Sequence, residues 1–563
     1  MKFKDFPYTH LSYEEISEAY EKGLQKLEEA KDPQAFRAAF DEFNRYRGHV
    51  ETESTLVSVR HSVDTSDEFY KKEQEYWDET GPLVQALEDR FYSICLAYPE
   101  KEATGIPEVF FKLASYAKES FSEEVIPDLQ EENKIINEYD VLKASARIEF
   151  DGEIHNLASL GPKLSSVDRD VRRRAYTAVN GFYAEHEGEF DDIYDRLVKV
   201  RTRIAHKLGY PSFTELGYKR MDRFDYNEDD VARYRKMILE EVVPLNKKLY
   251  ESQAKRLGLP KLSCYDESLI FADGNPLPKG NRDELVAAAA KMYHEMSPET
   301  DEFFTKMCEM DLFDLETKPN KQMGGYCTGV YDYGVPFIFS NFNGTRGDVD
   351  VLTHEAGHAF QMYQTRKHVD TPDLAFPTYE SCEIHSMSME FFAHPWMEYF
   401  FKEDKDKYLY THIREAFTFL PYGCLVDHFQ HEVYRHPEYS CEERKQLWRS
   451  LEKQYKPLSD YSGFPLLEKG GFFYRQGHIF SSPFYYIDYT LAQVCALQFF
   501  KRMLENDPDT WKDYLHLCSL GGTMSFVSLV KEAGLRSPFE DGCLTDTLQK
   551  VGAELSRLEA ELG

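Results

Sequence analysis

The sequence predicts a mainly α-helical protein of two closely joined lobes with one small β-element. Helical periodicity covers most of the chain, and the single glycine-rich stretch of β-formers lies at 323–344. No Gly/Ser-rich or Pro-rich linker, low-complexity tract or internal repeat separates the 563 residues into independent units. We therefore expect a helical covering lobe at 1–200 and a second lobe at 201–563, with a soft boundary between them.

The first lobe is expected to be helical almost throughout. Helical spacing runs from Ser12 to Ala97, where Pro82 should break or kink a helix, and returns further along the chain. A short hairpin is expected around Asp151 and Gly152. The later helical segments are Val109–Ala114, Val167–Tyr183 and Phe190–Ile204.

The second lobe begins with helices and then changes character. Helices are expected over Glu228–Leu239 and Arg282–Met296. Two strands should follow, Gly324–Tyr331 and Val335–Phe342, joined by a turn at Asp332–Gly334. Such a hairpin is either a structural element only or an edge strand that holds an extended peptide by main-chain hydrogen bonds.

Charge and composition exclude several classes of partner. The net charge is -32, and no Lys/Arg-rich stretch offers a site for phosphates, so nucleic acid is not an expected partner. No run of 18 apolar residues and no signal-peptide core occurs, so membrane insertion and export are not expected. Ten scattered cysteines indicate free thiols in the cytoplasm. Cys327 and Cys382 have the chemistry of soft metal ligands, although buried free thiols are the commoner state.

The pentapeptide from His354 to His358 reads His-Glu-Ala-Gly-His. On a helix of 3.6 residues per turn, positions i and i+4 lie only about 40° apart, so both imidazoles can bind one metal ion. Glu355 lies beside them without having to be a ligand. The pattern is typical of a zinc site that activates water to hydrolyse amides.

Residues around the pentapeptide favour a helix. Asp348 is expected to be its N-cap, where a negative charge suits the helix dipole. Asp350 lies one turn before His354 and either orients that imidazole or only caps the helix. Gly357 is a poor helix former, so we expect another segment to approach the helix closely there.

Zinc bound by two neutral imidazoles needs a third protein ligand. The polar stretch from Thr378 to Glu390 is expected to form the next helix. Glu383 and Glu390 lie two turns apart on one face, so that one could bind the metal while the other orients an imidazole. Glu380 lies in the first turn of this helix, where a negative charge suits the helix dipole, so its presence is also explained without a role as a metal ligand. Spacing alone does not choose among the four candidates, which are Glu380, Glu383, His385 and Glu390.

The pentapeptide followed by Cys382–Glu390 resembles peptidase family M3, a family of zinc oligopeptidases, and in particular its oligoendopeptidase F and Pz-peptidase branch. The resemblance implies a zincin-like fold in which two helical lobes enclose a deep channel, with one Zn²⁺ per chain. In that family the third ligand is a Glu 29 residues after the first His, and Glu383 stands 29 residues after His354. The implied ligands are therefore His354, His358 and Glu383. Glu390 matches a further acidic position, which we expect to support a ligand.

A third segment, Tyr474–Tyr489, extends the resemblance. We expect Ser482 to cap a helix and Pro483 to occupy its first turn. Tyr486 and Tyr489 would then share one face of that helix and donate hydrogen bonds to an oxyanion.

His478 is expected to add a hydrogen-bond donor from the loop before that helix. Tyr485 also shares a face with Tyr489, so the choice between Tyr485 and Tyr486 stays open. The loop should move over a bound peptide by means of three glycines, Gly470, Gly471 and Gly477.

Two other histidine patterns are not expected to bind metal. His431 and His436 stand at i and i+5, which splays their rings apart, and His294 has no partner downstream. We expect these residues to be ordinary surface or core histidines.

The residues and the resemblance together predict a zinc-dependent endo-oligopeptidase that cleaves internal bonds of short unfolded peptides, with Glu355 as general base. Two alternatives stay open. A zinc carboxypeptidase of similar fold would need a cation to bind the substrate's carboxylate, and a non-catalytic, metal-stabilised peptide-binding protein would make no product. The same ligands also accept manganese or cobalt. The oligomeric state and the preferred side chains of the substrate stay undetermined.

Overall fold

The structure is a computed structural model that describes residues 1–318 and 320–562. Helices dominate it, as predicted, and the strands form one two-stranded and one three-stranded sheet among these residues. No helix in this described part of the chain is long and apolar enough to cross a membrane.

The N-terminal helices pack around a core of their own. They are α1 (Tyr13–Glu28), α2 (Pro33–Val63), α3 (Glu68–Ala97) and α4 (Glu108–Glu119). A capping box of Ser12 and Glu15 starts the first of them. α3 runs through Pro82 without a break, so the expected break is wrong, and a kink there stays a prediction. The buried side chains of this core run from Ile16 to Phe110 and are joined by Leu374.

The next elements belong to the main core instead. They are α5 (Ile126–Ala144), β1 (Ile148–Phe150), β2 (Glu153–His155), α6 (Gly161–Leu164), α7 (Arg169–Glu185) and α8 (Glu187–Lys207). The hairpin prediction is confirmed, because Asp151 and Gly152 both have positive φ, at 51° and 85°. Helices before about residue 120 thus pack mainly in the N-terminal core and later ones in the main core. The predicted boundary between two lobes near residue 200 stays a prediction.

Five helices lead to the larger sheet. They are α9 (Phe213–Arg220), α10 (Glu228–Met237), α11 (Val243–Arg256), α12 (Arg282–Met296) and α13 (Pro298–Met310). α12 has the predicted bounds, because Asn281 and Glu284 form a capping box at its start.

The larger sheet contains the two predicted strands and one that the sequence did not predict. Its strands are β3 (Phe313–Glu316), β4 (Tyr326–Val330) and β5 (Val335–Phe342). The order is β3-β5-β4, with β3 parallel and β4 antiparallel to the buried central strand β5. β4 is therefore an edge strand. A strand as short as β3 shows too little alternation of apolar and polar residues to be recognised from sequence.

The remaining helices build the centre of the molecule. They are α14 (Gly347–Thr365), α15 (Tyr379–Phe392), α16 (Glu398–Phe401), α17 (Lys405–Arg435), α18 (Cys441–Tyr455), α19 (Pro465–Lys469), α20 (Gly477–Ser481), α21 (Tyr486–Leu504), α22 (Thr510–Leu520), α23 (Phe526–Glu532) and α24 (Thr545–Leu562). α15 packs against both α14 and α21, and β5 packs against α14. This packing brings three distant segments of the chain to one place.

Candidate metal centre and active-site cleft

The pentapeptide lies in the middle of α14, but the helix does not begin as predicted. It starts at Gly347, so Asp348 lies in the first turn and is not the N-cap. The Asp348 carboxylate instead accepts backbone hydrogen bonds from Asn343, at 2.9 Å, and Gly344, at 2.8 Å. Asp348 therefore fixes the loop between β5 and α14.

Gly357 lies where α14 and α15 approach closely, as its presence in a helix predicted. A Cβ atom there would lie 2.6 Å from Ser386 Cα and 2.7 Å from the His385 carbonyl oxygen. Any larger residue would push α15 away. The glycine therefore sets the spacing between the two histidines of α14 and Glu383 of α15.

Three side-chain atoms converge at this crossing. Glu383 Oε2 lies 3.2 Å from His354 Nε2 and 3.4 Å from His358 Nε2. All three ligand atoms lie within 4.8 Å of one another. In a tetrahedral site with zinc bonds of about 2.0–2.1 Å, neighbouring ligand atoms lie about 3.3 Å apart. These residues therefore fit a zinc ion in both donor chemistry and spacing.

Glu390 links the first histidine to a buried hydrogen-bonded chain. Its Oε1 lies 2.6 Å from His354 Nδ1, and its Oε2 lies 2.7 Å from His412 Nε2. His412 Nδ1 in turn lies 3.0 Å from His394 Nε2. Because a carboxylate only accepts, His354 must carry its proton on Nδ1, which leaves Nε2 free to bind a metal.

Asp350 does not orient His354. Its carboxylate pairs with Arg346, at 2.5 Å, and accepts a hydrogen bond from Tyr408, at 2.7 Å. That expectation is wrong because the Asp350 side chain faces the start of α14 and α17. Glu390 holds the imidazole instead.

The electrostatics of the cluster favour a cation. Burial alone would raise the pKa of Glu390, but its hydrogen bonds to His354 and His412 lower it to about 2. The pKa of Glu383 is likewise well below its usual range, because the two imidazoles outweigh the cost of burial. Burial would lower the pKa of His354, yet the two carboxylates raise it well above the usual value. A site that draws protons in this way also attracts a divalent metal ion.

Glu355 lies beside the cluster without contributing a ligand atom to it. Its side chain lines the same cleft as His354 and His358. Burial raises its pKa, and the positive charge that the imidazoles can carry opposes that rise. A carboxylate with a raised pKa next to a metal site is suited to accept a proton from water near neutral pH.

The other candidate ligands on α15 point elsewhere. Both oxygens of Glu380 are buried with no hydrogen-bond partner in the described structure, and burial raises its pKa well above the usual value. His385 Nδ1 lies 2.7 Å from the Ser381 carbonyl oxygen, and burial lowers the His385 pKa to about 4. Cys327 and Cys382 line the cleft, but burial raises their thiol pKa values well above normal, which disfavours metal-binding thiolates.

The remaining histidine patterns have ordinary roles. His431 is buried and its Nε2 lies 2.9 Å from the Tyr218 hydroxyl. His436 pairs with Glu438 and His294 pairs with Asp301, each at 3.1 Å. None of the three belongs to the ligand cluster found in the described chain.

A cleft of about 580 Å³ opens onto the cluster. The edge strand β4 lines it through Tyr326, Cys327 and Thr328, and α4 of the N-terminal core contributes Val109 and Leu113. No lysine or arginine occurs among the described residues that line it. The cleft thus lies between elements of both cores and has an available strand edge in its wall.

The aromatic segment reaches the cluster, although its helix begins later than predicted. α21 starts at Tyr486, because Phe484 has a left-handed φ of 68° and ends the preceding turn. Tertiary contacts hold this bend. The Phe484 amide donates to Gln430 Oε1, at 3.0 Å, and its carbonyl oxygen accepts from Arg223 Nη2, at 2.6 Å.

The structure brings the predicted oxyanion donors together. The His478 ring lies 4.9 Å from the ring of Tyr486 and 5.7 Å from that of Tyr489, measured between centroids. Tyr485 and Tyr489 line the cleft, and the Tyr485 hydroxyl donates to Glu383 Oε1 at 2.6 Å. Tyr486 instead packs against Phe419. Tyr485 is thus the tyrosine that contacts a candidate ligand.

Two of the three loop glycines serve close packing. A Cβ on Gly470 would lie 1.9 Å from the Lys445 carbonyl oxygen, and one on Gly471 would lie 2.4 Å from the Leu466 side chain. Only Gly477 has room around it, with nothing nearer than 3.8 Å. His478 lies in α20 and not in a loop.

Sequence reasoning did not find His412, Gln476 or Asp222. His412 supports Glu390, Gln476 contacts His478, and Asp222 lines the cleft. No local pattern marks His412 or Asp222, because each reaches the site through contacts between elements distant in sequence, whereas Gln476 contacts His478 from two residues earlier in the same segment.

A mainly helical fold with two histidines on one helix and a glutamate on the next has the fold class of zincin-like metallopeptidases. The family models for the peptidase M3 N-terminal domain and for peptidase family M3 match residues 3–121 and 281–547. A solved structure of Pz peptidase A with an inhibitor is 48% identical, covers 99% of both chains and has a TM-score of 0.96. This chain belongs to peptidase family M3, in its oligoendopeptidase F and Pz-peptidase branch.

More distant relatives match over part of their length. An oligoendopeptidase F homolog of Lactococcus lactis subsp. lactis is 25% identical over 283 residues, which is 50% of this chain and 44% of that protein. The plasmid oligoendopeptidase F of Lactococcus lactis subsp. cremoris is 22% identical over 391 residues, 66% of this chain and 61% of that protein. The chain thus matches less than two thirds of the length of these relatives.

We expect Glu390→Gln to weaken zinc binding by about 10- to 100-fold, because a neutral amide no longer fixes the His354 tautomer as a carboxylate does. Competition with a chromogenic chelator measures the affinity. Glu398→Gln removes the same charge from an exposed position nearby and is the matched control. Equal zinc affinity in the two variants would contradict a supporting role for Glu390.

Proposed function

We propose that this protein is a zinc-dependent endo-oligopeptidase that hydrolyses internal bonds of short unfolded peptides. The observation that supports it most directly is the convergence of His354, His358 and Glu383 in a cleft that Glu355 also lines. One zinc ion per chain is the metal that best fits this ligand set.

A bound zinc ion would lower the pKa of water and polarise the carbonyl of the scissile bond. Glu355 then accepts a proton from the attacking water and delivers it to the departing amine. The raised pKa of Glu355 suits it to both steps. Tyr485 holds Glu383 through its hydroxyl and so acts as a positioning residue.

Tyr486, Tyr489 and His478 are the proposed donors to the developing oxyanion. The tautomer of His478 supports this role. The Tyr422 hydroxyl donates to Gln476 Oε1, at 2.8 Å, so the Gln476 amide nitrogen faces His478 Nδ1, also at 2.8 Å. Nδ1 must therefore accept, and Nε2 carries the proton. Burial lowers the His478 pKa to about 4, which keeps the ring neutral at pH 7.

Of the three proposed donors, Tyr489 lines the cleft. The His478 ring packs against the rings of both Tyr486 and Tyr489. Closure of the segment around Gly477 on a bound peptide would bring His478 toward the carbonyl. The free space around Gly477 is consistent with such movement.

The cleft suits an extended peptide. The edge strand β4 offers backbone hydrogen bonds along one wall, and a substrate strand can pair with it. The absence of lysine and arginine from the described lining disfavours a carboxypeptidase, which has to bind a free carboxylate. Ten free cysteines are consistent with the proposed cytoplasmic location.

Digestion of a graded set of peptides tests the proposal. We expect peptides with amidated C-termini to be cleaved at internal bonds, because no described residue of the cleft lining is a cation that could bind a terminal carboxylate, and a chelator should abolish the cleavage. Mass spectrometry identifies the products. Removal of C-terminal residues only, with amidated peptides spared, would indicate a carboxypeptidase. Peptide binding that persists in chelator with no product would indicate a binding protein.

A further inference from the structure

One carboxylate that lines the cleft has no side-chain partner in the part of the chain that the structure describes. Asp222 follows α9 with a φ of 52° and lines the same cleft as His354 and Glu355. No described residue forms an ion pair with its carboxylate or donates a hydrogen bond to it. Burial raises the pKa of Asp222 to about 7, with a further contribution from the charge of Asp373. Above that pH the carboxylate is ionised and faces the cleft with no described cation to compensate its charge.

The carboxylate of the other aspartate in the cleft lining, Asp373, is already bound by protein side chains. Asp373 forms two hydrogen bonds with Arg47, at 2.6 and 3.1 Å, and accepts a third from the Tyr92 hydroxyl at 2.6 Å. Burial would raise the pKa of Asp373, but Arg47 lowers it overall. Asp373 therefore serves the packing of α2 and α3, and Asp222 is the carboxylate available to a ligand.

The position of Asp222 relative to the candidate metal centre is fixed by its neighbour. Arg223 is buried, and its Nη2 binds both the Phe484 carbonyl oxygen, at 2.6 Å, and Asp488 Oδ1, at 2.8 Å. These contacts tie the end of α9 to the segment that carries Tyr485. A subsite there is rigid before any ligand binds.

The surroundings of Asp222 match a cation on an apolar stem. Five apolar side chains line the same cleft, and Tyr379 also lines it, with its ring 5.0 Å from that of Tyr485. Lysine and arginine side chains place their methylene groups on such surfaces and their charge at a polar end. The five apolar residues are Val109, Leu113, Phe224, Phe376 and Pro377.

We propose that Asp222 forms a subsite for a positively charged group of the bound peptide, either a lysine or arginine side chain or the N-terminal ammonium. This inference rests on the proposed peptidase function and adds the class of substrate. Because Asp222 and the candidate metal ligands line one cleft, a single bound peptide can reach both.

Kinetics and binding of matched peptides test the subsite. In one internally quenched peptide, lysine, norleucine or glutamate is placed at each position in turn, with the N-terminus either free or acetylated. At pH 8, where Asp222 is ionised, we expect the wild type to favour one lysine position or the free N-terminus by about 10-fold in kcat/KM. Whichever of the two is favoured identifies the source of the charge.

Asp222→Asn is the decisive variant, because asparagine tolerates the left-handed conformation and removes only the charge. It should lose the preference while it cleaves the norleucine peptide within about 2-fold of the wild-type rate. Asp229→Asn removes the same charge from an exposed site and should keep the preference, which separates the subsite from the overall charge of -32.

Fluorescence anisotropy of the same peptides separates this inference from the proposed function. Selective binding of the cationic peptide without cleavage would overturn the peptidase function and leave the subsite in place. Cleavage with no charge preference, or a preference retained in Asp222→Asn, would overturn the subsite.

Discussion

We expect Glu355→Gln to bind zinc and peptide as the wild type does and to lose about 10²- to 10⁴-fold in kcat. Glutamine keeps the shape of the side chain, so the cleft and the three ligand atoms stay in place. It cannot accept a proton from water, and the attacking nucleophile is then not formed. Steady-state kinetics together with metal analysis measure both effects.

The control for this variant is Glu309→Gln, at an exposed position on α13. It changes the net charge equally and should leave kcat unaltered. If Glu355→Gln turned over peptides at the wild-type rate, another group would have to be the base and the proposed mechanism would be wrong. If it lost zinc instead, Glu355 would be a ligand or a structural support.

Glu383→Gln should lose zinc altogether under conditions in which the wild type retains it. Zinc binding by a full protein ligand set contributes roughly 10–16 kcal/mol, so the loss of one ligand should weaken the affinity about 10³-fold or more. The variant should also lose the rise in melting temperature that added zinc gives the wild type. Metal content after dialysis and thermal melts with and without zinc measure these effects.

Glu380→Gln is a sharp control for that experiment, because Glu380 lies one turn away on the same helix and was an equal candidate by spacing. Burial raises the pKa of Glu380 well above normal, so a neutral amide resembles its protonated state closely. This variant should keep full zinc content. Zinc retained by Glu383→Gln but lost by Glu380→Gln would exchange their roles.

Most of the helical architecture was predictable, and the errors have identifiable causes. The bounds of α12 follow from a capping box and a regular period, both of which are local. The start of α21 does not, since Arg223, which follows α9, and Gln430 of α17 hold the backbone of Phe484 in a conformation that ends the preceding turn. The continuity of α3 through Pro82 and the presence of β3 likewise depend on packing against other elements.

The sequence by itself determined that His354 and His358 share one helix face with Glu355 beside them, because helix geometry is local and needs only spacing. Spacing left the third ligand open, and only a family resemblance selected Glu383. The tertiary structure decided which carboxylate supports His354, which tyrosine contacts Glu383, and that Asp222 lines the cleft with no ion-pair partner among the described residues. Those contacts join residues far apart in the chain, and their geometry is set by how helices pack, which no local periodicity encodes.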